Sequence, residues 1–131
     1  MIPDNCRYTN EHEWVCPDGP DHVKIGITDY ATGALGDIVF VELPAVGAAL
    51  KATGTFGSVE AVKTVSELFS PVTGTVVEVN PGVQSDPGVV NRSPYDEGWM
   101  IRARMTNPAE LDALLTPKAY EEMVAGLEGG H

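Results

Sequence analysis

Short stretches in which apolar residues alternate with small or polar ones occupy most of the first hundred positions. Residues 23–27 alternate in this way, and residues 37–43 are rich in β-branched and aromatic side chains before a proline. Both patterns are typical of strands, and so are those of residues 75–79 and 99–105. Thr28 can cap a short helical turn between the first two strands, which Gly36 can end. The body of the chain is therefore predicted to be rich in β-structure.

The centre of the chain predicts a hairpin. Residues 56–62 and 64–68 are two extended arms, separated by a tight reversal at 61–64. Lys63 lies at this reversal, where a side chain points away from the body. It is one of four lysines in the chain.

The tail changes to a helical period. Asn107, Pro108 and Glu110 stand at the N-cap, first and third positions of a predicted helix, and a second helix begins at Thr116 and Pro117. Tyr120, Met123, Val124 and Leu127 share one face of that second helix. We therefore expect one domain, residues 1–131, with a β body at about 8–106 and a helical cap at about 107–127.

Composition narrows the possible functions. The chain has 131 residues, 43% of them hydrophobic, and a net charge of -11. An acidic surface argues against a nucleic-acid partner and against a polybasic membrane contact. No apolar run approaches the roughly 20 residues of a membrane span. The first residues do not resemble a signal or transit peptide, so we expect a bacterial cytoplasmic protein, and in a reducing cytosol Cys6 and Cys16 would be free thiols.

Common catalytic motifs are absent from the sequence. It contains no nucleotide-binding glycine motif and no nucleophile elbow. The histidines His12, His22 and His131 have no ligand-spaced partners, so no metal site is predicted, and His12 is expected to be a surface or hydrogen-bonded residue. Nothing in the sequence therefore points to catalysis by this chain itself.

Lys63 is the residue with the most evident chemical use. Its amine can form an amide with an attached group, and its four-carbon stem gives that group reach. Glu60 and Glu67 give it an acidic frame. Judged by position and composition alone, an ordinary solvated turn lysine is the more common explanation.

The motifs taken together resemble the glycine cleavage system H-protein family of lipoyl carriers. The similarity runs in one register from about Tyr8 to Tyr120. The matching runs are Tyr8-Thr9, His12-Glu13-Trp14, Ile25-Gly26-Ile27-Thr28-Asp29-Tyr30-Ala31, Leu35-Gly36-Asp37-Ile38-Val39-Phe40-Val41-Glu42-Leu43-Pro44, Val59-Glu60-Ala61-Val62-Lys63, Ser70-Pro71-Val72-Thr73-Gly74, Val77-Glu78-Val79-Asn80, Asn91, Pro94-Tyr95 and Gly98-Trp99.

This resemblance implies a fold, a cofactor and a set of partners. The fold would be mostly β, a lipoyl/biotinyl-domain-like sandwich or hybrid barrel with short C-terminal helices. Lys63 would carry lipoate as an amide, since biotin carriers flank their lysine with methionines whereas Val62 and Thr64 stand here. Lipoate-attaching enzymes would modify it. The carrier, a non-catalytic monomer in one-carbon metabolism, would serve glycine decarboxylase (P-protein), aminomethyltransferase (T-protein) and dihydrolipoamide dehydrogenase (L-protein).

A loaded aminomethyl arm should shelter from water, and its ammonium should seek a carboxylate. Glu13 and Glu67 are the candidates, the first next to His12 and the second just after the hairpin. Two alternatives to the glycine cleavage role stay open. One is an H-like lipoyl relay outside glycine catabolism, and the other is an unmodified β-rich interaction module.

Overall fold

The computed structural model describes residues 3–129 of the chain. Most of the ordered elements in this part of the chain are strands: β1 (Arg7–Tyr8), β2 (Glu13–Pro17), β3 (His22–Ile27), β4 (Ile38–Glu42), β5 (Ala49–Leu50), β6 (Thr55–Ala61), β7 (Val65–Phe69), β8 (Gly74–Val79) and β9 (Ile101–Met105). The helices are α1 (Asp29–Leu35), α2 (Pro81–Ser85), α3 (Val89–Arg92) and α4 (Pro117–Gly129), with a 3₁₀ helix at Pro108–Ala113.

The strands form two antiparallel sheets. The larger sheet has the order β1-β2-β3-β9-β8-β5, and the smaller has the order β4-β6-β7. Alternate residues of both sheets bury their side chains in one shared core, for example Val15 and Ile25 from the larger sheet and Val59 and Leu68 from the smaller. Two sheets that bury a common face make a β sandwich, as the resemblance implied.

A second apolar cluster covers the opposite face of the larger sheet. Tyr8 and Trp14 are partners in the β1–β2 register, and their side chains lie on the face away from the main core. Helix α4 covers them, with the ring of Tyr120 stacked on that of Tyr8 at 4.8 Å between centroids. The C-terminal helix is thus an integral layer of the fold.

The cysteines correct a prediction. Cys6 and Cys16 are joined in a disulfide, with their Cα atoms 4.3 Å apart, so the expectation of free thiols is wrong. The antiparallel β1–β2 register pairs Arg7 with Val15. Cys6, which precedes Arg7, therefore lies opposite Cys16, which follows Val15. Strand pairing decides the contact, and the sequence spacing of the cysteines does not reveal it.

The predicted strands at 23–27, 37–43 and 75–79 and the helical turn between Thr28 and Gly36 are confirmed. Some details differ. Residues 108–113 form a 3₁₀ helix instead of the predicted α-helix. The strand predicted at 99–105 begins only at Ile101, and Met100, which precedes it, lies in the core. Leu127, which was expected on the same face of α4 as Tyr120, is exposed.

No helix among residues 3–129 is long and apolar enough to cross a membrane.

Candidate functional site

Lys63 lies at the tip of the β6–β7 hairpin. Glu60 pairs with Val65 as the last rung of the ladder, and the Ala61 amide donates a hydrogen bond to the Thr64 carbonyl at 2.8 Å. This bond closes a four-residue reversal in which Val62 and Lys63 are the central residues. The predicted hairpin and the place of the lysine in it are therefore confirmed.

The hairpin is anchored while the lysine side chain stays free. Val59 and Leu68 fix its two strands in the core, and the Val62 amide donates to the Asp37 carbonyl at 3.1 Å. Lys63 itself is exposed and makes no hydrogen bond or salt bridge within residues 3–129. An exposed amine held on a fixed backbone is open to an enzyme that would acylate it.

Glu13 is the buried carboxylate of the site. It opens strand β2 with 2% of its surface exposed. The Thr9 hydroxyl donates to Oε1 at 2.6 Å and the Phe69 amide donates to Oε2 at 3.2 Å. Burial raises the pKa of Glu13 from 4.5 to about 7. The two hydrogen bonds favour the charged form and lower the pKa, but their effect is smaller than that of burial. The carboxyl therefore changes its charge near neutral pH.

Thr9 holds this carboxylate in place. Its hydroxyl oxygen also accepts the backbone amides of Glu11 at 3.2 Å and Glu13 at 3.1 Å, so the turn before β2 is organised around one side chain. Thr9 was not predicted to be a site residue. The available signal was a hydroxyl four residues before a carboxylate, which is common in turns and therefore weak.

An open cleft of about 490 Å³ leads to Glu13. Phe69 and Pro71 line it from one side, and Leu114 lines it from the side of the helical tail. Phe69 ends the strand that follows Lys63, so β7 leads from the hairpin tip to this cleft. Its four residue steps correspond to roughly 14 Å.

The loop at one wall of the cleft is held by the tail. The Glu110 carboxylate accepts the Thr73 amide at 2.7 Å and the Thr73 hydroxyl at 2.9 Å. Asn107 stands at the predicted N-cap position but makes no side-chain capping hydrogen bond. Glu110 instead connects the 3₁₀ helix to the loop that follows Phe69.

Glu67 lies apart from Glu13. It is exposed on β7 opposite Ser58, and it lines a second open cleft of about 530 Å³ together with Glu42 and Thr55. The structure does not bring the two candidate carboxylates into one cleft, because Glu67 lies on the outer face of the smaller sheet whereas Glu13 is buried.

His12 takes part in an aromatic network. Its Nδ1 lies 2.8 Å from the Tyr120 hydroxyl, which is 2.7 Å from that of Thr28, and its ring packs on Tyr30. Burial lowers the pKa of His12. It is thus a hydrogen-bonded histidine, as expected. Within the described residues no group of three or more histidine, cysteine or acidic side chains is arranged to hold a metal ion, and His131 lies outside that part of the chain.

A β sandwich that presents one unpaired lysine at the tip of an anchored hairpin defines the class of lipoyl-domain-like carrier folds. The comparisons with known proteins agree. The sequence profile described as "Glycine cleavage H-protein" matches residues 6–126. A glycine cleavage system H protein of Geobacillus kaustophilus is 57% identical over 93% of this chain and 95% of its own length, and that of Bacillus subtilis is 54% identical over the same shares. The crystal structure of a glycine cleavage system H protein from Mycobacterium marinum superimposes with a TM-score of 0.85 at 41% identity, covering 98% of this chain and 99% of that one.

The chain belongs to the glycine cleavage H-protein family. Its function is that of the family, the lipoyl carrier component of the glycine cleavage system.

Proposed function

We propose that Lys63 is the lipoyl attachment site and that this chain carries the aminomethyl group of glycine without catalysing a reaction itself. One observation carries the proposal: the amine of Lys63 is exposed and unpaired at the tip of an anchored hairpin. In the attachment step the amine attacks an activated lipoyl carbonyl. A C–N bond forms, the activating group leaves, and the nitrogen loses a proton.

The lipoyl group, when bound, supplies a cyclic disulfide that opens to accept a carbon nucleophile and can be reoxidised from the dithiol. The chain's own contribution is position. A fixed hairpin presents the arm to P-protein, T-protein and L-protein in turn and keeps it at a high local concentration in each active site. We propose a monomer acting in the bacterial cytoplasm, in keeping with the bacterial origin of the relatives.

We infer further that the cleft at Glu13 receives the amine cargo of the arm. A lysine and an eight-carbon acyl chain contain about twelve bonds and extend over roughly 15 Å. Phe69 lies six residue steps from Lys63, roughly 20 Å along an extended strand, so the arm spans most of the path to the cleft. The Glu13 carboxyl ionises near neutral pH, so a cation that enters the cleft would favour its charged form and gain a charge-assisted hydrogen bond. Glu67, in the second cleft, is the other candidate.

Intact mass tests the attachment. Protein from a lipoate-competent host should carry one added lipoyl group, which Lys63→Arg should abolish and the control Lys51→Arg should retain. Unmodified wild-type protein would favour the interaction module. Reconstituted glycine decarboxylation with P-protein separates the glycine cleavage role from a lipoyl relay outside glycine catabolism.

The rate of formaldehyde release from the loaded protein tests the carboxylates. We expect Glu13→Gln to raise this rate, because the ammonium loses its partner and the arm spends more time in water. An effect of Glu67→Gln alone would move the shelter to the second cleft. Unchanged rates in both variants would remove these residues from the account.

A further inference from the structure

Large apolar side chains are exposed around Lys63. Phe40 is 53% exposed, Val62 is 72% exposed and Val65 is 62% exposed. These three residues are called the tip patch below. Elsewhere in the described chain, the large apolar side chains with comparable exposure are Val39, which is next to Phe40 in the sequence, and Val46 and Leu127.

The register of the smaller sheet explains why Phe40 and Val65 share one face. Phe40 pairs with Glu60, and Glu60 pairs with Val65, so the two apolar side chains lie in one row of the outer face, on either side of Glu60. Val62 follows at the turn, directly before Lys63. The patch therefore faces solvent beside the reactive amine, although it contributes nothing to the core.

Acidic side chains border the patch. The next row of the same face is Glu42, Ser58 and Glu67, with the two carboxylates at its ends, and Glu60 stands inside the first row. All three glutamates are exposed. A partner that covers this face must therefore present an apolar centre and cationic side chains opposite Glu42 and Glu67.

We propose that the tip patch is the docking surface for the enzyme that acylates Lys63, and that this enzyme receives Phe40 and Val65 on an apolar surface bordered by arginine or lysine. The proposal rests on the proposed function of Lys63. It adds that recognition comes from the outer face of the smaller sheet, whereas the Glu13 cleft is not involved. Exposed apolar surface next to the residue that the enzyme would acylate is the expected form of such a contact.

The test uses the unmodified full-length protein with a purified lipoate–protein ligase, lipoate and ATP, and follows acylation by intact mass. Phe40→Ser and Val65→Thr should each raise KM by roughly ten-fold at unchanged kcat, because they remove contacts made equally in the ground and transition states. The matched controls are Leu127→Ser on α4 and Val46→Thr in the loop after β4, and both should leave KM unchanged. Thermal unfolding of each variant verifies the fold.

A charge variant tests whether the carboxylates beside the tip patch contribute to binding of the enzyme. Glu42→Gln should reduce the dependence of kcat/KM on salt, whereas Glu122→Gln on α4 should not. Equal KM values for the patch variants and their controls would overturn the proposal, and so would a fall in kcat with KM unchanged. A loss of self-association in Phe40→Ser, with normal acylation, would assign the patch to a second copy of the chain instead. Failure of the wild-type protein to be acylated would contradict the proposed function of Lys63, which is a separate outcome.

Discussion

Replacing Glu13 by glutamine should change how the stability of the protein depends on pH. Glutamine keeps the size and the acceptor oxygen but does not ionise. Burial raises the pKa of Glu13 from 4.5 to about 7, so the folded state binds a proton that the unfolded state has already lost at intermediate pH. The contribution of this carboxyl to stability is therefore complete below about pH 4.5 and is lost as the pH rises through about 7.

The magnitude follows from the two pKa values. A change from 4.5 to about 7 corresponds to roughly 3 kcal/mol at about 1.4 kcal/mol per pH unit. The side chain is 2% exposed, so solvent screening removes little of this. The free energy of unfolding of the wild type, minus that of Glu13→Gln, should be constant below pH 4.5, fall by up to that amount by pH 7, and be constant again above.

Urea unfolding of both proteins at intervals from pH 4 to pH 8 measures this difference, and all other titrating groups cancel in it. The pH dependence of the NMR chemical shift of the Glu13 side-chain carboxyl carbon gives the pKa directly. Thr9→Val removes the hydroxyl that donates to Glu13 at 2.6 Å and favours its charged form. In this variant, the loss of stability that Glu13 causes should therefore occur at higher pH. Parallel stability curves for the wild type and Glu13→Gln, or an NMR midpoint below pH 5, would refute the reasoning.

Three further outcomes are expected. Gly74→Ala should destabilise the protein by about 2 kcal/mol or more, because the added Cβ would meet the Arg104 carbonyl. Gly33→Ala in α1 adds a Cβ in open space and should stabilise the protein by about 0.5–1 kcal/mol. Urea unfolding of both variants measures these changes. Reduction of the disulfide, which links residues ten positions apart, should lower the free energy of unfolding by about 2–3 kcal/mol, and the Cys6→Ser, Cys16→Ser double variant should not respond to reductant in the same assay. The rate of association with P-protein, followed by stopped flow, should fall by on the order of ten-fold as salt is raised, if the net charge of -11 steers the encounter; a flat rate would exclude steering.

The hairpin could be predicted from the sequence because its signals are local. Two short β-prone arms and a reversal at 61–64 place Lys63 at the tip, whatever the rest of the chain does. Strands β1 and β2 could not be predicted in this way. Glu13 lies within β2, and a charged residue in a short segment normally indicates exposure, whereas here Thr9 and Phe69 supply the hydrogen bonds that permit burial.

Contacts between segments that are distant in the sequence could not be predicted either, because no local pattern encodes them. The separation of Glu13 and Glu67 depends on which face of its sheet each side chain occupies, and their spacing in sequence does not give it. The cysteine pair depends on the β1–β2 register. The support that Glu110 gives to Thr73 joins segments 37 residues apart. Each of these requires the assembled sandwich.

Strand β7 shows why the lysine has to stand where it does. Leu68 points into the core and Glu67 to the outer face, so a slip of the β6–β7 register by one residue would bury a carboxylate and expose a leucine. The same slip would move the reversal away from Lys63 and the Phe69 amide away from Glu13. The core therefore determines three things at once: the apex position of the amine, the outer row beside it, and the hydrogen bond that holds the buried carboxylate. The proposed role of Lys63 depends on this register, because the register decides where the amine is presented.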